Sequence, residues 1–201
     1  SFTFGQNVNT EDNWPEQLEN ILNERNQCNK YEKLEVINLA VFGYDIEYEV
    51  ERYRLKGQKY DPDLIIWMLM DEQRIREQIE PYHEACNEEN IKNKQPIKHC
   101  WLNANKEFIA KVGMDYVNKY LADRYKEIYN YYDKEILTVD LNGVHSKVFR
   151  LLDLENVFVL NFPDNNYDLI NFDAHPSKIG HTHIAENIYR HITTNKFIPC
   201  E

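Results

Sequence analysis

Apolar residues occur along this chain in two arrangements: short continuous runs, and longer stretches where they recur every three or four positions among charged residues. The first pattern suits buried strands and the second amphipathic helices. Leu18, Ile21 and Leu22 share one helical face behind a cap at Asp12 or Asn13, with Pro15 in the first turn, so a helix is expected to end near Asn26. Residues 34–41 (Leu-Glu-Val-Ile-Asn-Leu-Ala-Val) are mostly apolar, rich in β-branched side chains and closed by Phe42 and Gly43, which predicts a buried parallel-type strand. Ile46, Val50 and Tyr53 then predict a helix leading to Gly57, with Glu47, Glu49, Glu51 and Arg52 as a solvated face.

The turn Asp61-Pro62-Asp63 introduces a second apolar run, residues 64–70, too short for a buried helix and read as a strand. Residues 72–80 have helical composition; residues 81–105 turn polar and are expected to be an irregular insertion or cap loop. A single long helix is expected over 106–132, with Ile109, Val112, Tyr116, Tyr120 and Ile128 on its inner side as packing surface. A strand at 135–141, a helix at 144–152, a strand at 156–162 and a helix at 180–193 complete the chain. Strands and helices that alternate without hairpin signals predict one α/β domain over residues 1–201, a three-layer α/β/α arrangement around a parallel sheet.

Composition narrows the function classes. A formal net charge of −11 opposes binding to nucleic acid or anionic membranes, which need clustered Lys and Arg. No apolar run is long enough for a membrane span, and the compartment and oligomeric state stay open. Cys28, Cys86, Cys100 and Cys200 lack CxxC spacing and are read as unpaired thiols. The polar stretch that Cys86 and Cys100 share with His83 and His99 leaves a disulfide or a metal site as alternatives; no metal or cofactor is otherwise called for.

In parallel α/β sheets, ligands bind beyond the carboxyl ends of the strands. Gly43 and Met70-Asp71 stand at two such ends, and Asp173-Ala174-His175-Pro176 forms a loop after the last strand. The opening Ser1-Phe2-Thr3-Phe4-Gly5 has turn character and a potential nucleophile. With Asn38-Leu39-Ala40-Val41-Phe42-Gly43 and Asp173-Ala174-His175-Pro176-Ser177, followed by Gly180 and His181, it resembles, in order, the first, second and last sequence blocks of the SGNH hydrolases, the GDSL esterase and lipase family.

That resemblance implies a flavodoxin-like parallel sheet of about five strands. It implies hydrolysis of a carboxylic ester of a small molecule, lipid or sugar, through an acyl-enzyme and without a cofactor. Ser1 would be the nucleophile, His175 the general base and Asp173 the group that orients the imidazole, with Asp168 in reserve. The N–H groups of Ser1 and Gly43 would form the oxyanion hole. The chain departs from the family pattern in three places. Met70 stands where the third block normally carries an oxyanion-binding Asn, and Asn38 is a possible substitute donor. Asp173 and His175 are separated by one residue, where the family usually has two. The first strand and the Gly-Asp before the serine are missing, so a truncated start is expected. The competing expectation is a catalytically degenerate domain of the same fold that binds a carbohydrate, an acyl ligand or a partner protein. His181, His183 and His191 are read as polar-face residues of the last helix.

Overall fold

The structure is a computed structural model and describes residues 1–25, 31–69, 75–93, 100–141, 143, 146–152, 157–160 and 175–198. Its helices are α1 (Trp14–Glu24), α2 (Ile46–Arg52), α3 (Arg76–Lys92), α4 (Cys100–Val112), α5 (Met114–Glu127), α6 (Ser146–Leu152) and α7 (Lys178–Thr194). Three parallel strands, β1 (Leu64–Leu69), β2 (Glu135–Leu141) and β3 (Val157–Leu160), form a sheet in the order β1-β2-β3. The expected α/β class with a parallel sheet is therefore present.

Strand periodicity sorts side chains between the two faces of this sheet. Leu64, Ile66 and Met68 of β1, with Leu137, Val139 and Leu141 of β2, pack into a core shared with α1 and α7. Ile65, Trp67, Leu69 and Ile136 pack on the other side with α2, α5 and α6. Trp67 stacks on Tyr125 at a centroid separation of 4.6 Å, and Tyr125 hydrogen-bonds Thr138 from within that layer.

The N-terminus of α1 forms as expected: Asn13 Oδ1 accepts the Glu16 N–H at 3.0 Å, with Pro15 in the first turn. Other expectations change. Residues 34–41 run without regular secondary structure and are not a paired strand. The Leu34 N–H goes to Asn23 Oδ1 at 2.9 Å and the Val36 N–H to Glu19 Oε2 at 2.8 Å, so side chains of α1 take the place of a ladder. The polar stretch 81–105 is helical as far as Lys92 and again from Cys100. The expected long helix is two helices, because Gly113 adopts φ +84°, a conformation that interrupts an α-helix and is open to glycine. That break resets the helical phase. Val117, Leu121 and Tyr125 form the inner face of α5, and Tyr116 is exposed.

Two local readings are also corrected. The α2 carboxylates are only partly solvated: Glu51 pairs with Arg54, whereas Glu47 accepts from Tyr120 and Glu49 accepts from Trp67 Nε1 at 2.6 Å. Burial pushes the Glu47 carboxyl above its usual range. Cys86 and Cys100 are joined in a disulfide, not free thiols. Helices α3 and α4 pack together and bring the two Cα atoms to 5.6 Å, within bridging range.

Candidate active site

Residues 1–8 fold back in a turn: the Ser1 carbonyl accepts the Gly5 N–H at 3.1 Å and the Gln6 N–H at 3.3 Å. Gly5 is required in two ways. It sits at φ +84°, and a Cβ there would lie 2.6 Å from the Asn13 Cβ. The turn is anchored by Phe2, which is buried, and by Asn38, whose Nδ2 donates to the Thr3 carbonyl at 3.0 Å. Ser1 is thus held against the segment 38–43 and the carboxyl end of β1.

His175 arrives from the opposite end of the sequence. Its Nε2 lies 2.7 Å from Ser1 Oγ across 174 residues, and its ring packs on Phe2 with centroids 5.2 Å apart. The anchor is α7, which begins just after it: Ser177 caps the helix by accepting the Gly180 N–H at 3.4 Å, so only Pro176 and Ser177 separate His175 from a firmly packed helix. A serine hydroxyl hydrogen-bonded to an imidazole is the arrangement from which a proton can leave as oxygen attacks a carbonyl.

Ser1 and Gly43 line one cleft of about 70 Å³ together with Ala40, Ile46, Met68 and Leu69. Asn38, considered as a donor in place of the missing family Asn, is otherwise engaged: Nδ2 binds Thr3 O, and Oδ1 accepts the Ala40 N–H at 3.1 Å. Its role here is to tie the Ser1 turn to the 38–43 segment. Asp173, Asp168, Met70 and Asp71 lie outside the described residues, as do His99, Cys28 and Cys200.

Three further residues near this edge carry no sequence signal of their own. Glu49 lines the Ser1 cleft from within a run of charges that reads as a solvated helix face. Asp140 is fully buried at the carboxyl end of β2, in register with Leu69. His181, expected on a polar face, is fully buried instead, because α7 packs that side on α1. Its Nδ1 accepts the Trp14 N–H at 3.3 Å, leaving the proton on Nε2, which has no hydrogen-bond partner among the described residues. Burial, reinforced by the nearby charge of His175 and opposed by Asp12, lowers its pKa to about 4. His181 is therefore neutral near pH 7 and puts no positive charge beside His175.

Among the described residues, no helix is long and apolar enough to cross a membrane, and no group of three or more His, Cys, Asp or Glu is placed to hold a metal ion. No family model, curated protein or solved structure matches the chain.

Proposed function

We propose that this protein is a serine-dependent hydrolase of carboxylic esters, of the SGNH (GDSL) type. The observation that carries the reading is the 2.7 Å contact between Ser1 Oγ and His175 Nε2, made by residues 174 positions apart and placed at the carboxyl end of a parallel strand. In the proposed reaction, Ser1 Oγ attacks the ester carbonyl carbon as His175 Nε2 takes its proton. The N–H groups of Ser1 and Gly43 hold the oxyanion, and Asp173 orients the imidazole. His175 then protonates the departing alcohol. A water, deprotonated by the same imidazole, releases the acyl group from Ser1. The finer fold assignment, a five-stranded SGNH sheet, belongs to the same proposal and is supported by three parallel strands with helices on both faces.

The test is turnover of p-nitrophenyl acetate and butyrate by the purified protein and by Ser1→Ala and His175→Ala. Each substitution is expected to lower kcat by about 10³-fold or more, and fluorophosphonate labelling is expected to be lost with Ser1→Ala. A wild-type protein that neither turns over nor labels sinks the hydrolase reading. One observation favours a second reading, a degenerate domain that binds an acyl or carbohydrate ligand without turning it over: the Asn38 amide is committed to Thr3 and Ala40, so it does not make good the oxyanion donor lost at Met70. In that case short-chain carboxylates or acetylated sugars raise Tm while no ester is cleaved.

A further inference from the structure

Ser1 and His175 lie on two short segments that meet a second time. Residues 1–13 are wound into successive turns: Gly5 N–H binds Ser1 O, Val8 N–H binds Gly5 O, Asp12 N–H binds Asn9 O and Asn13 N–H binds Thr10 O. They run directly into α1. Residues 175–177 run directly into α7, where the His181 N–H reaches the Ser177 carbonyl at 2.9 Å. The second meeting lies between the starts of these helices, where the Trp14 N–H donates to His181 Nδ1 at 3.3 Å. The two segments therefore form a ring closed at two points, Ser1 with His175 and Trp14 with His181.

The kinds of contact between α1 and α7 decide what fixes that ring. Leu18 and Leu22 of α1 pack with Ile184, Ala185 and Ile188 of α7 in one apolar layer. Such contacts set the separation of two helices but are non-directional, so they constrain sliding along the axes only weakly. Register needs directional bonds. Three of those joining these segments are exposed to solvent. Lys178 with Asp12 and Arg25 with Glu186 are ion pairs with exposed cations, where screening leaves them little weight. Thr182 Oγ1 reaches Gln17 Oε1 at 2.7 Å, but its one proton is shared with the Lys178 carbonyl at 3.0 Å.

The Trp14–His181 bond differs, because both residues are buried and the donor is main chain, fixed with α1 itself. It also completes the start of that helix. The Glu16 N–H goes to Asn13 Oδ1 and the Gln17 N–H to Asn13 O, and Pro15 has no N–H, so the remaining donor of the first turn is the one that His181 accepts. Loss of the acceptor would leave a buried N–H unpaired. We propose that His181 is the positioning residue of the site: by accepting the Trp14 N–H it sets the register of α7 on α1, and with it the reach of His175 Nε2 to Ser1 Oγ. The inference rests on the hydrolase reading of that pair, in which a misplacement of about 1 Å costs about 10²-fold in rate.

The test compares His181→Gln with His181→Met, unbranched side chains of similar size, of which Gln carries the amide oxygen that accepts an N–H. With p-nitrophenyl acetate near pH 7, His181→Met is expected to lower kcat about tenfold or more with KM within about twofold, and His181→Gln to stay within about threefold of wild type. In crystal structures, Ser1 Oγ and His175 Nε2 are expected to part beyond about 3.5 Å in His181→Met and to stay hydrogen-bonded in His181→Gln. Equal Ser1–His175 distances in the two variants overturn the proposal. In an active protein so do equal kcat values, or losses as large in Lys178→Met or Thr182→Val. A wild-type protein without turnover sinks the hydrolase reading, and the positioning role is then decided by the crystallographic distances. In the wild-type protein, ¹⁵N shifts of the His181 ring are expected to mark Nδ1 as the bare acceptor; a proton on Nδ1 overturns the proposal even where neither variant folds.

Discussion

At the scale of single residues, His181 and Gly5 carry consequences that separate folding from chemistry. His181 has a folded pKa near 4 against 6.5 for a free imidazole, so the unfolded chain binds a proton first as pH falls. Its contribution to stability is complete above about pH 7, declines as pH drops from 6.5 toward 4, and changes no further below that. Over the window this amounts to about 3 kcal/mol. Urea unfolding at pH 7.0 and 4.5 is expected to show the loss, and His181→Gln, which keeps an acceptor for Trp14 N–H, is expected to flatten it. Gly5→Ala faces both a positive φ and the 2.6 Å approach of Asn13. It is expected to cost about 1–3 kcal/mol. Because the turn it closes holds Ser1, it is also expected to weaken fluorophosphonate labelling at temperatures where the protein remains folded.

The paired helices α3 and α4 show how an element depends on a link that composition does not announce. The polarity of residues 81–105 and a proline at position 81 argue for an irregular segment, yet α3 continues through Pro81. Packing decides in its favour: Ile75 and Ile79 are fully buried, Tyr82 packs against Phe108, and His83 stacks on Trp101 at 3.7 Å. The Cys86–Cys100 disulfide then closes a loop over a sequence separation of 14 residues. Such a loop restricts the unfolded chain by about 3 kcal/mol. Reduction with dithiothreitol, or Cys86→Ser with Cys100→Ser, is expected to lower Tm by several degrees. Helical circular dichroism is expected to be retained below the transition, since the bridge links two helices already held by their own contacts.

For the whole molecule, the proposed chemistry lies where the parallel sheet ends. The Ser1 cleft, at about 70 Å³, has room for no more than one short acyl group. Esterase activity is therefore expected to favour acetate and butyrate over octanoate by roughly tenfold or more in kcat/KM, checked with the p-nitrophenyl ester series.

Runs of apolar residues determined β1, β2 and β3 and the parallel α/β class, because a strand covered on both faces is apolar at most of its positions, with Thr138 and Asp140 the buried polar exceptions in β2. Helix signals set α1 and α7 equally well, since caps and periodicity are local. The Ser1 and His175 pairing was legible as a family-like order of blocks, but its distance was not. Residues 34–41 have a strand's composition and lack its ladder, because pairing requires a neighbour that composition does not supply. The burial of His181, the inward turn of Glu47 and Glu49, and the Cys86–Cys100 bond were likewise decided by tertiary structure. Each depends on which helix face meets which layer, and that is settled only when the core closes.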